Sequence, residues 1–380
     1  MVRMTALLVS ALVLAFALPA EAKTIHVHKG QSIQAAVDRA SAGDRILVHP
    51  GVYREEGKAC PAISAQICAV AIQKHGIKLI GVPSKGHPVV LRARDGQDAG
   101  IEVGKARTGD CLADASMRVH RSLISGFTVR GFDDFGVFLL CVDHWRITRV
   151  RTIDNGEYGT FPSHTTIGRL DHSFASGSND TGHYIGQSSH ARVDHNVAKD
   201  NVSGFELENS SRIRADHNLA SGNTGGILSF TLPNLDVKSN SDNRIDHNRV
   251  LNNNRKNTCI EPEDTVCAVP PGTGILMLSV DRNRVESNKV NGNRSYGIAV
   301  ANYCVVLGVS AEDCAALDID PNPDDNRVTG NTAKQNGKNP DPSVPSVFTV
   351  DLAWDLSGTG NCWANNTAGT TFPSPLPACP

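Results

Sequence analysis

Three Asp-His triplets recur at an almost constant spacing in the middle of the chain. They are Asp171-His172-Ser173, Asp194-His195-Asn196 and Asp216-His217-Asn218, separated by 23 and then 22 residues. A fixed period of this size is the signature of a solenoid, because a single repeat cannot bury its own apolar face. Three short strands with their turns fill about 22 residues. Each repeat therefore predicts one coil of a parallel β-helix, and the fold class is all-β.

The first residues have the composition of a secretory signal. Arg3 is a basic start, Leu7 to Leu18 is apolar, and Ala20-Glu21-Ala22 is a small-x-small cleavage site. The apolar stretch is too short to cross a bilayer, which takes about 20 residues. The sequence thus predicts a signal peptide over residues 1–22, cleaved after Ala22, and a secreted or periplasmic protein without a membrane span.

The ten cysteines indicate an oxidising compartment. Zinc binding is the competing interpretation, but no Cys-x-x-Cys occurs and the pairs are scattered, which favours disulfides. Three of the pairs bracket polar or Pro-bearing stretches that interrupt the repeat, so they predict closed insertions. The chain order predicts these five bonds: Cys60 with Cys68, Cys111 with Cys141, Cys259 with Cys267, Cys304 with Cys314, and Cys362 with Cys379.

The charge of the chain is close to balanced. Its net charge is −2, with both signs interspersed, and it lacks the basic stripe that nucleic-acid binding requires. We expect a monomer whose partner is a polysaccharide or an exported protein, not a nucleic acid. No cofactor and no metal site is predicted, although a structural or catalytic calcium ion stays open.

Composition and periodicity divide the chain into a cap, a solenoid and an irregular end. Ser32 is placed to cap a helix that shields the first coil, so residues 23–48 are predicted as an N-terminal cap. Coils with insertions are expected over 49–336. Residues 337–380, rich in Pro, are expected to form a last irregular coil and a C-terminal cap.

The repeated Asn and His positions have structural and functional interpretations. Asn tolerates the left-handed conformation at a bend, and stacked amides can hydrogen-bond along the ladder. We favour this structural role for the Asn residues. A His ladder of His172, His195, His217 and His247 could in principle bridge a metal, but parallel rings do not converge as a tetrahedral site requires.

Alternation along each coil assigns the side chains to faces. Aligned glycines place Val137, His183, Phe205, Ile227, Ile275 and Ile298 in one inward column, and Ile185, Leu207, Met277 and Val300 in the next. Their neighbours should then point outward: Tyr184, Glu206 and Leu228 in one column, and Gly186, Glu208 and Phe230 in the other.

Glu206 and Glu208 are the candidate catalytic residues. Two residues apart on one strand, they should carry carboxylates about 6 to 7 Å apart, a spacing that suits an acid and a base acting on a glycosidic bond. A solvated strand with two charges is the alternative. The outward groove predicts these substrate-binding residues: Tyr184 and Phe230 as sugar-stacking faces, with Gln187, Asn209, Asp180 and Asp171 extending it. His183 is explained equally by a buried, satisfied His and by catalysis.

At these strands the chain resembles an uncharacterised family of exported bacterial right-handed parallel β-helix proteins. The resemblance spans roughly residues 31–336 and is specific around 180–233, in segments such as Gly182-His183-Tyr184-Ile185-Gly186 and Gly204-Phe205-Glu206-Leu207-Glu208. It implies a right-handed solenoid and transfers no reaction. The family usually has an aliphatic residue at His183, which argues against a shared catalytic group, and Asp at Thr231.

More broadly, the coils resemble the superfamily of carbohydrate-binding and sugar-hydrolase β-helices, which includes pectin-degrading enzymes and alginate epimerases. The chain lacks the Asp-Asp with later Gly-His-Gly of polygalacturonases and the Asp-Pro-His-Asp of alginate epimerases. A shared fold does not imply a shared function.

Three functions follow as hypotheses. The leading one is an exported protein that binds an extended polysaccharide along the Tyr184–Phe230 face and, if it is an enzyme, modifies it by lyase, hydrolase or epimerase chemistry. The second is a non-catalytic scaffold in which outward Leu228 and Phe230 dock another exported protein. The third is metal handling by the His ladder, which a resemblance to copper-site maturation β-helices allows.

Overall fold

A computed structural model describes residues 22–380, so the predicted signal peptide lies almost entirely outside the described residues. Within them the chain winds through three parallel sheets, here called A, B and C, each of which adds one strand per coil. The predicted all-β parallel solenoid is confirmed. Among residues 22–380, no helix is both long and apolar enough to cross a membrane.

Sheet A holds the strand that ends in the Asp-His turn. Its strands, in spatial order, are Thr24–Val27, Arg45–Val48, Lys78–Gly81, Leu123–Ser125, Val142–Thr148, Thr166–Asp171, Ser189–Asp194, Arg214–Asp216, Arg244–Asp246, Arg284–Glu286, Arg327–Thr329 and Cys362–Ala364, with Val119–His120 pairing beside Val142–Thr148.

Sheet B follows sheet A in every coil and has the shortest strands. They are Gly51–Tyr53, Val89–Arg92, Phe127–Arg130, Arg151–Ile153, Phe174–Ser176, Val197–Lys199, Leu219–Ser221, Arg249–Leu251, Lys289–Asn291, Thr332–Lys334 and Thr367–Ala368.

Sheet C completes the coil and carries the longer strands. They are Lys58–Ala59, Ile67–Ile72, Ala99–Val103, Phe135–Leu140, Tyr158–Ser163, Thr181–Gly186, Ser203–Glu208, Gly225–Phe230, Thr273–Leu278, Tyr296–Ala301, Leu352–Trp354 and Thr371–Phe372. Lys58–Ala59 pairs antiparallel with its neighbour.

Few helices interrupt the coils. The α-helices are Ile33–Arg39, Thr108–Ala113, Tyr303–Leu307 and Ala311–Ala315, and the 3-10 turns are Ala115–Met117, Thr265–Ala268 and Ser346–Phe348. The first helix begins where the sequence predicts, because the Ser32 hydroxyl accepts a hydrogen bond from the amide of Ala35 at 3.0 Å. Ile33, Ala36 and Val37 of this helix are buried.

All five disulfides predicted from the order of the cysteines are present. Two of them close insertions beside sheet C: Cys259–Cys267 in the segment 255–272, and Cys304–Cys314 across the helices that follow Tyr296–Ala301. No described cysteine is free.

Ladders of buried Asn side chains hold the turns together. In the ladder recognised from sequence, Oδ1 of Asn218 accepts from the backbone amide of Asn196 at 2.9 Å and from its Nδ2 at 3.1 Å, and the pattern repeats through Asn248 and Asn288 to Asn331. A second ladder runs from Asn201 to Asn336 after sheet B, and a third includes Asn243, Asn283 and Asn326 before sheet A. The stacked amides therefore satisfy buried backbone donors at all three turns.

The residue in the left-handed conformation is the His, not the Asn. His172, His195, His217 and His247 have φ between 51° and 57°, whereas Asn196 and Asn218 are absent from the residues with positive φ. Our assignment of the left-handed bend to Asn is thus wrong. The bend falls one residue earlier, because the Asn must point inward to reach the next coil.

Candidate functional site

The outer face of sheet C carries the two columns of side chains predicted to point outward. In the first, Tyr184 pairs in register with Glu206, and Glu206 with Leu228. In the second, Gly186 pairs with Glu208, and Glu208 with Phe230. Between them, Phe205, Leu207 and Ile227 belong to the apolar core inside the solenoid. The alternation read from the sequence is therefore the alternation in the structure.

These outward columns are covered, not exposed to solvent. Insertions over 232–240, 255–272, 303–320 and 341–350 rise beside sheet C and form the walls of a cavity of about 760 Å³. Glu206 is 4% exposed and Phe230 is 8% exposed. The alternative of a solvated strand is thus ruled out for Glu206, because its side chain is buried. Alternation in the sequence could not show this, since it does not reveal what an insertion will cover.

Carboxyl groups collect at one end of this cavity. Asp180, Glu206 and Glu208 line it together with Tyr158. Asp180 comes from the coil before the two glutamates, where the hydroxyl of Thr181 donates to its Oδ1 at 2.8 Å. We call these four residues the acid end of the cavity.

Burial changes the protonation of the acid end. It raises the pKa of Glu206 to about 7, with the charge of Glu208 adding to the effect, and it raises the pKa of Glu208 to about 7, with Asp180 adding. The pKa of Asp180 is also raised, by burial first and then by the charge of Glu206. Close, buried carboxyls that cannot all ionise hold protons near neutral pH, which is what a general acid requires.

The Glu208 carboxylate is held by Tyr184. The tyrosine hydroxyl donates to Oε1 of Glu208 at 2.7 Å. The ring reaches this position by lying over Gly186, where an added Cβ would come within 1.9 Å of the Tyr184 hydroxyl. Gly186 therefore has to lack a side chain for Glu208 to be fixed in this way.

Tyr184 does not present a free face for a sugar. Its ring stacks on Phe161 with centroids 4.1 Å apart and planes 1° apart, and the residue is 3% exposed. The expectation of an open stacking face at Tyr184 is wrong in this respect: neighbouring coils place aromatic rings in the same column, so each ring covers the next. Tyr184 orients Glu208 instead.

Gln187 and Asn209 stand beside the cavity and hold one of its walls. Oε1 of Gln187 accepts from the amides of Asp236 and Val237 at 2.8 and 3.2 Å. Nδ2 of Asn209 donates to the carbonyl of Leu232 at 2.9 Å, and its Oδ1 accepts from the amide of Leu232 at 2.8 Å. Both side chains are thus occupied by the 232–240 insertion.

Asp171 lies on sheet A, away from the acid end. Its carboxylate accepts from Nε and Nη2 of Arg146, both at 2.8 Å, and from Nδ1 of His172. Burial alone would raise the pKa of Asp171, but the hydrogen bonds from Arg146, His172 and Thr148 lower it to about 2. Its repeat register placed Asp171 near the groove, but the turn after sheet A points to a different face of the solenoid from the outer side of sheet C.

The His ladder has its own ring-to-carboxylate pairing. Rings of His172, His195, His217 and His247 stack at 5.1 to 5.2 Å with planes 3° to 5° apart. Each Nδ1 is hydrogen-bonded to the preceding Asp at 2.8 to 2.9 Å. Over residues 22–380 these rings form no cluster of converging ligand atoms. The arrangement is that of a stacked turn and does not support metal handling by this ladder.

His183 and Thr231, the two departures from the resembled family, are both buried away from the acid end. His183 lies inside the solenoid, 1% exposed, and burial lowers its pKa to about 3. Its Nδ1 is hydrogen-bonded to the Thr160 hydroxyl at 3.0 Å, while Nε2 has no partner. The Thr231 hydroxyl donates to the carbonyl of Ser279.

Further carboxyl groups lie near the acid end, and the sequence gives no signal that Glu157, Asp134, Glu261 and Asp264 come together there. Burial raises the pKa of Glu157 to about 8, with contributions from the charges of Asp134, Glu261, Asp180 and Asp264. Burial also raises the pKa of Asp134 to about 6. Glu261 and Asp264 come from the disulfide-closed insertion, whose path no repeat predicts. Tyr158 could have been placed on the outer face of sheet C from the sequence, because it holds the same repeat position as Phe135.

The other part of the cavity is apolar. Leu228 and Phe230 pack there with Leu276, Leu278, Tyr296, Ala299 and Ala301. Leu228 is 2% exposed. The scaffold hypothesis took Leu228 and Phe230 as an exposed contact patch, and the structure contradicts that placement because the insertions cover both.

Comparison with known proteins agrees with this architecture. A family model described as "Right handed beta helix region" matches residues 135–316. The chain has the right-handed parallel β-helix fold. No curated protein is significantly similar to it in sequence.

Solved β-helix structures extend the likeness over most of the chain. The A-module of a mannuronan C-5 epimerase of Azotobacter vinelandii is 18% identical with a TM-score of 0.62, over 89% of this chain and 93% of that one. A tailspike protein of an E. coli bacteriophage, in complex with a pentasaccharide, is 10% identical with a TM-score of 0.59, over 89% of this chain and 59% of that one. A periplasmic alginate epimerase has a TM-score of 0.54 at 14% identity, over 90% and 83%. At these identities the likeness shows the fold alone.

Proposed function

We propose that this β-helix protein is exported, binds a carbohydrate chain in the sheet C cavity, and modifies it by proton transfer through Glu206 and Glu208. The observation that carries the proposal is the acid end: two carboxyls with a pKa raised to about 7, on one strand, facing a cavity of about 760 Å³. Near neutral pH such a pair holds one group protonated and one ionised, so it supplies an acid and a base together.

The cavity combines two kinds of surface that a sugar needs. Hydroxyl groups can donate to the carboxyls of the acid end, while the C–H face of a sugar ring can pack against Phe230 and Leu278. Structural neighbours whose names include mannuronan C-5 epimerase, and a tailspike bound to a pentasaccharide, support carbohydrate as the class of ligand. Five disulfides support export.

The charge of the cavity favours a neutral or amino-sugar chain over a polyanion. Among the described residues that line it are four Asp or Glu beyond Glu206 and Glu208, and none is Lys, Arg or His. A uronate carboxylate placed beside Asp180 and Glu206 would meet like charge in a buried site, which is costly. A neutral glycan meets no such repulsion.

The test compares wild type with Glu206→Gln on neutral, amino-sugar and uronate polysaccharides, recording both glycan binding and product release. We expect binding to a neutral or amino-sugar polymer and product release in wild type, with release lost in Glu206→Gln while binding persists. Glu263→Gln, at an exposed position on the 255–272 insertion outside the cavity lining, is the matched control. Absence of binding to every glycan would overturn the proposal.

A further inference from the structure

A second group of histidines lies at the N-terminal end of the solenoid, beside the first two strands of sheet A. His26 lies on strand Thr24–Val27 of sheet A, and His28 follows two residues later, so both point outward on the same side. His49 directly follows the neighbouring strand Arg45–Val48. Val27 pairs with Val48 in this register, which sets His28 beside His49.

One ring nitrogen of each of these three residues lies close to a nitrogen of the other two. Nδ1 of His26 is hydrogen-bonded to Nε2 of His49 at 2.9 Å. The three rings are stacked with planes 9° to 20° apart, and the centroids of His28 and His49 are 4.2 Å apart. One nitrogen from each ring lies within 4.8 Å of the other two. In the His ladder, by contrast, every Nδ1 is taken by its own Asp.

We infer that His26, His28 and His49 form a binding site for a zinc ion or a similar divalent transition metal. Zn–N bonds of about 2.0 to 2.1 Å in a tetrahedral site separate the ligand nitrogens by about 3.3 Å. The 2.9 Å between Nδ1 of His26 and Nε2 of His49 is close to this value, and the nitrogen of His28 lies within 4.8 Å of both. His26 and His28 are exposed and His49 is half-buried, so the rings have room in solvent to turn out of the stack until their nitrogens face one ion.

The ligand set selects the class of metal. Three imidazoles without a carboxylate suit Zn²⁺, Cu²⁺ or Ni²⁺, whereas Ca²⁺ and Mg²⁺ take oxygen ligands. Three protein ligands leave a fourth position for water, so this is an open site of the kind that binds exchangeable or reactive ligands, not a closed structural one. The site is independent of the sheet C cavity and of the function proposed there.

The experiment is a calorimetric titration of untagged protein, stripped with a chelator, with a zinc salt alone. We expect one saturable Zn²⁺ per chain. His28→Ala and His49→Ala each remove one of the three ligands. Each should weaken binding by at least about tenfold, because losing even an outer-shell partner of a metal ligand costs about 10- to 100-fold in affinity. Co²⁺ should give the visible absorption bands of a tetrahedral nitrogen site in wild type and not in the variants.

His217→Ala is the matched control, because it removes an exposed imidazole of the ladder and none of the trio. Thermal unfolding without metal checks that each variant is folded. Retention of Zn²⁺ binding by a folded variant with His26, His28 and His49 all changed to Ala would overturn the inference. So would absence of saturable binding in wild type, or an equal loss in His217→Ala.

Discussion

The hydroxyl of Tyr184 donates a hydrogen bond of 2.7 Å to Oε1 of Glu208, one coil further along the outer face of sheet C. Burial raises the pKa of Glu208, and this hydrogen bond opposes the rise. The register between the two strands brings the groups together, because the residue that pairs with Glu208 is Gly186. Gly186 has no side chain, so the Tyr184 ring can lie over it and reach Glu208.

Tyr184→Phe tests this bond. The ring would keep its stacking on Phe161, but the ionised Glu208 would lose a donor. Hydrogen bonds to charged groups contribute about 1.5–3 kcal/mol. We therefore expect a loss of that order in the free energy of unfolding above pH 7, where Glu208 is ionised, and a smaller loss well below it. Urea unfolding at the two pH values measures the difference; an equal loss at both would contradict it.

Glu206→Gln should stabilise the protein at alkaline pH. The folded pKa of Glu206 is about 7 and its ordinary value is 4.5, so between these values the folded state binds more protons than the unfolded state. Wild-type stability then falls as pH rises through this window, by up to about 1.4 kcal/mol per pH unit. The variant has no carboxyl group at this position, so it does not lose stability in this way. Thermal unfolding should show a higher midpoint than wild type above pH 7 and little difference near pH 4; the reverse order would refute the assignment.

Burial of His183 should make the stability of the fold depend on pH with the opposite sign. Its folded pKa is lowered to about 3 from 6.5, so between those values the unfolded state binds more protons. Stability is lost as pH falls below 6.5, with a slope of up to about 1.4 kcal/mol per pH unit. Replacing both partners, His183→Leu with Thr160→Val, should remove this slope and leave stability near neutral pH equal or higher, because Nε2 of His183 is unpaired. Chemical denaturation across this pH range, with wild type alongside, provides the measurement.

Asp194→Ala should weaken the turn ladder. The Asp194 carboxylate is fully buried and accepts from Nε and Nη2 of Arg169 at 2.8 and 2.7 Å and from His195 at 2.9 Å. Its loss should cost about 1.5–3 kcal/mol of unfolding free energy. Asp242→Ala is the control, because Asp242 pairs with Arg282 at an exposed site, where such pairs contribute under about 1 kcal/mol. Equal costs in the two variants would argue against the ladder as a source of stability.

The same ladder should withstand mild acid. The pKa of Asp171 is lowered to about 2 and that of Asp194 is also lowered. Their stabilising contribution is fully present above the ordinary Asp value and is lost as pH falls toward 2. Acid titration of wild type against Asp171→Asn, followed by circular dichroism, should show the variant unfolding with a weaker dependence on pH in this range.

Sequence reasoning determined the solenoid, its register and its disulfides because each depends on a short, repeated relation. Asn196 and Asn218 mark equivalent turns, alternation separates Phe205 from Glu206, and Cys259 lies near Cys267 along the chain. Such relations stay within one coil or between adjacent coils, so the period of the sequence contains them.

Only the tertiary structure decided what surrounds Glu206 and Glu208. The insertions that cover them have no period, and the groups that raise their pKa include Asp180 on the preceding coil. Burial is a property of everything that packs over a side chain, and alternation records only the direction in which that side chain points. For the same reason the sequence placed Asp171 near the groove, whereas in the structure its carboxylate accepts a hydrogen bond from Arg146 at the turn. The proximity of His26 and His49 likewise depends on the pairing of two strands, which the sequence did not reveal.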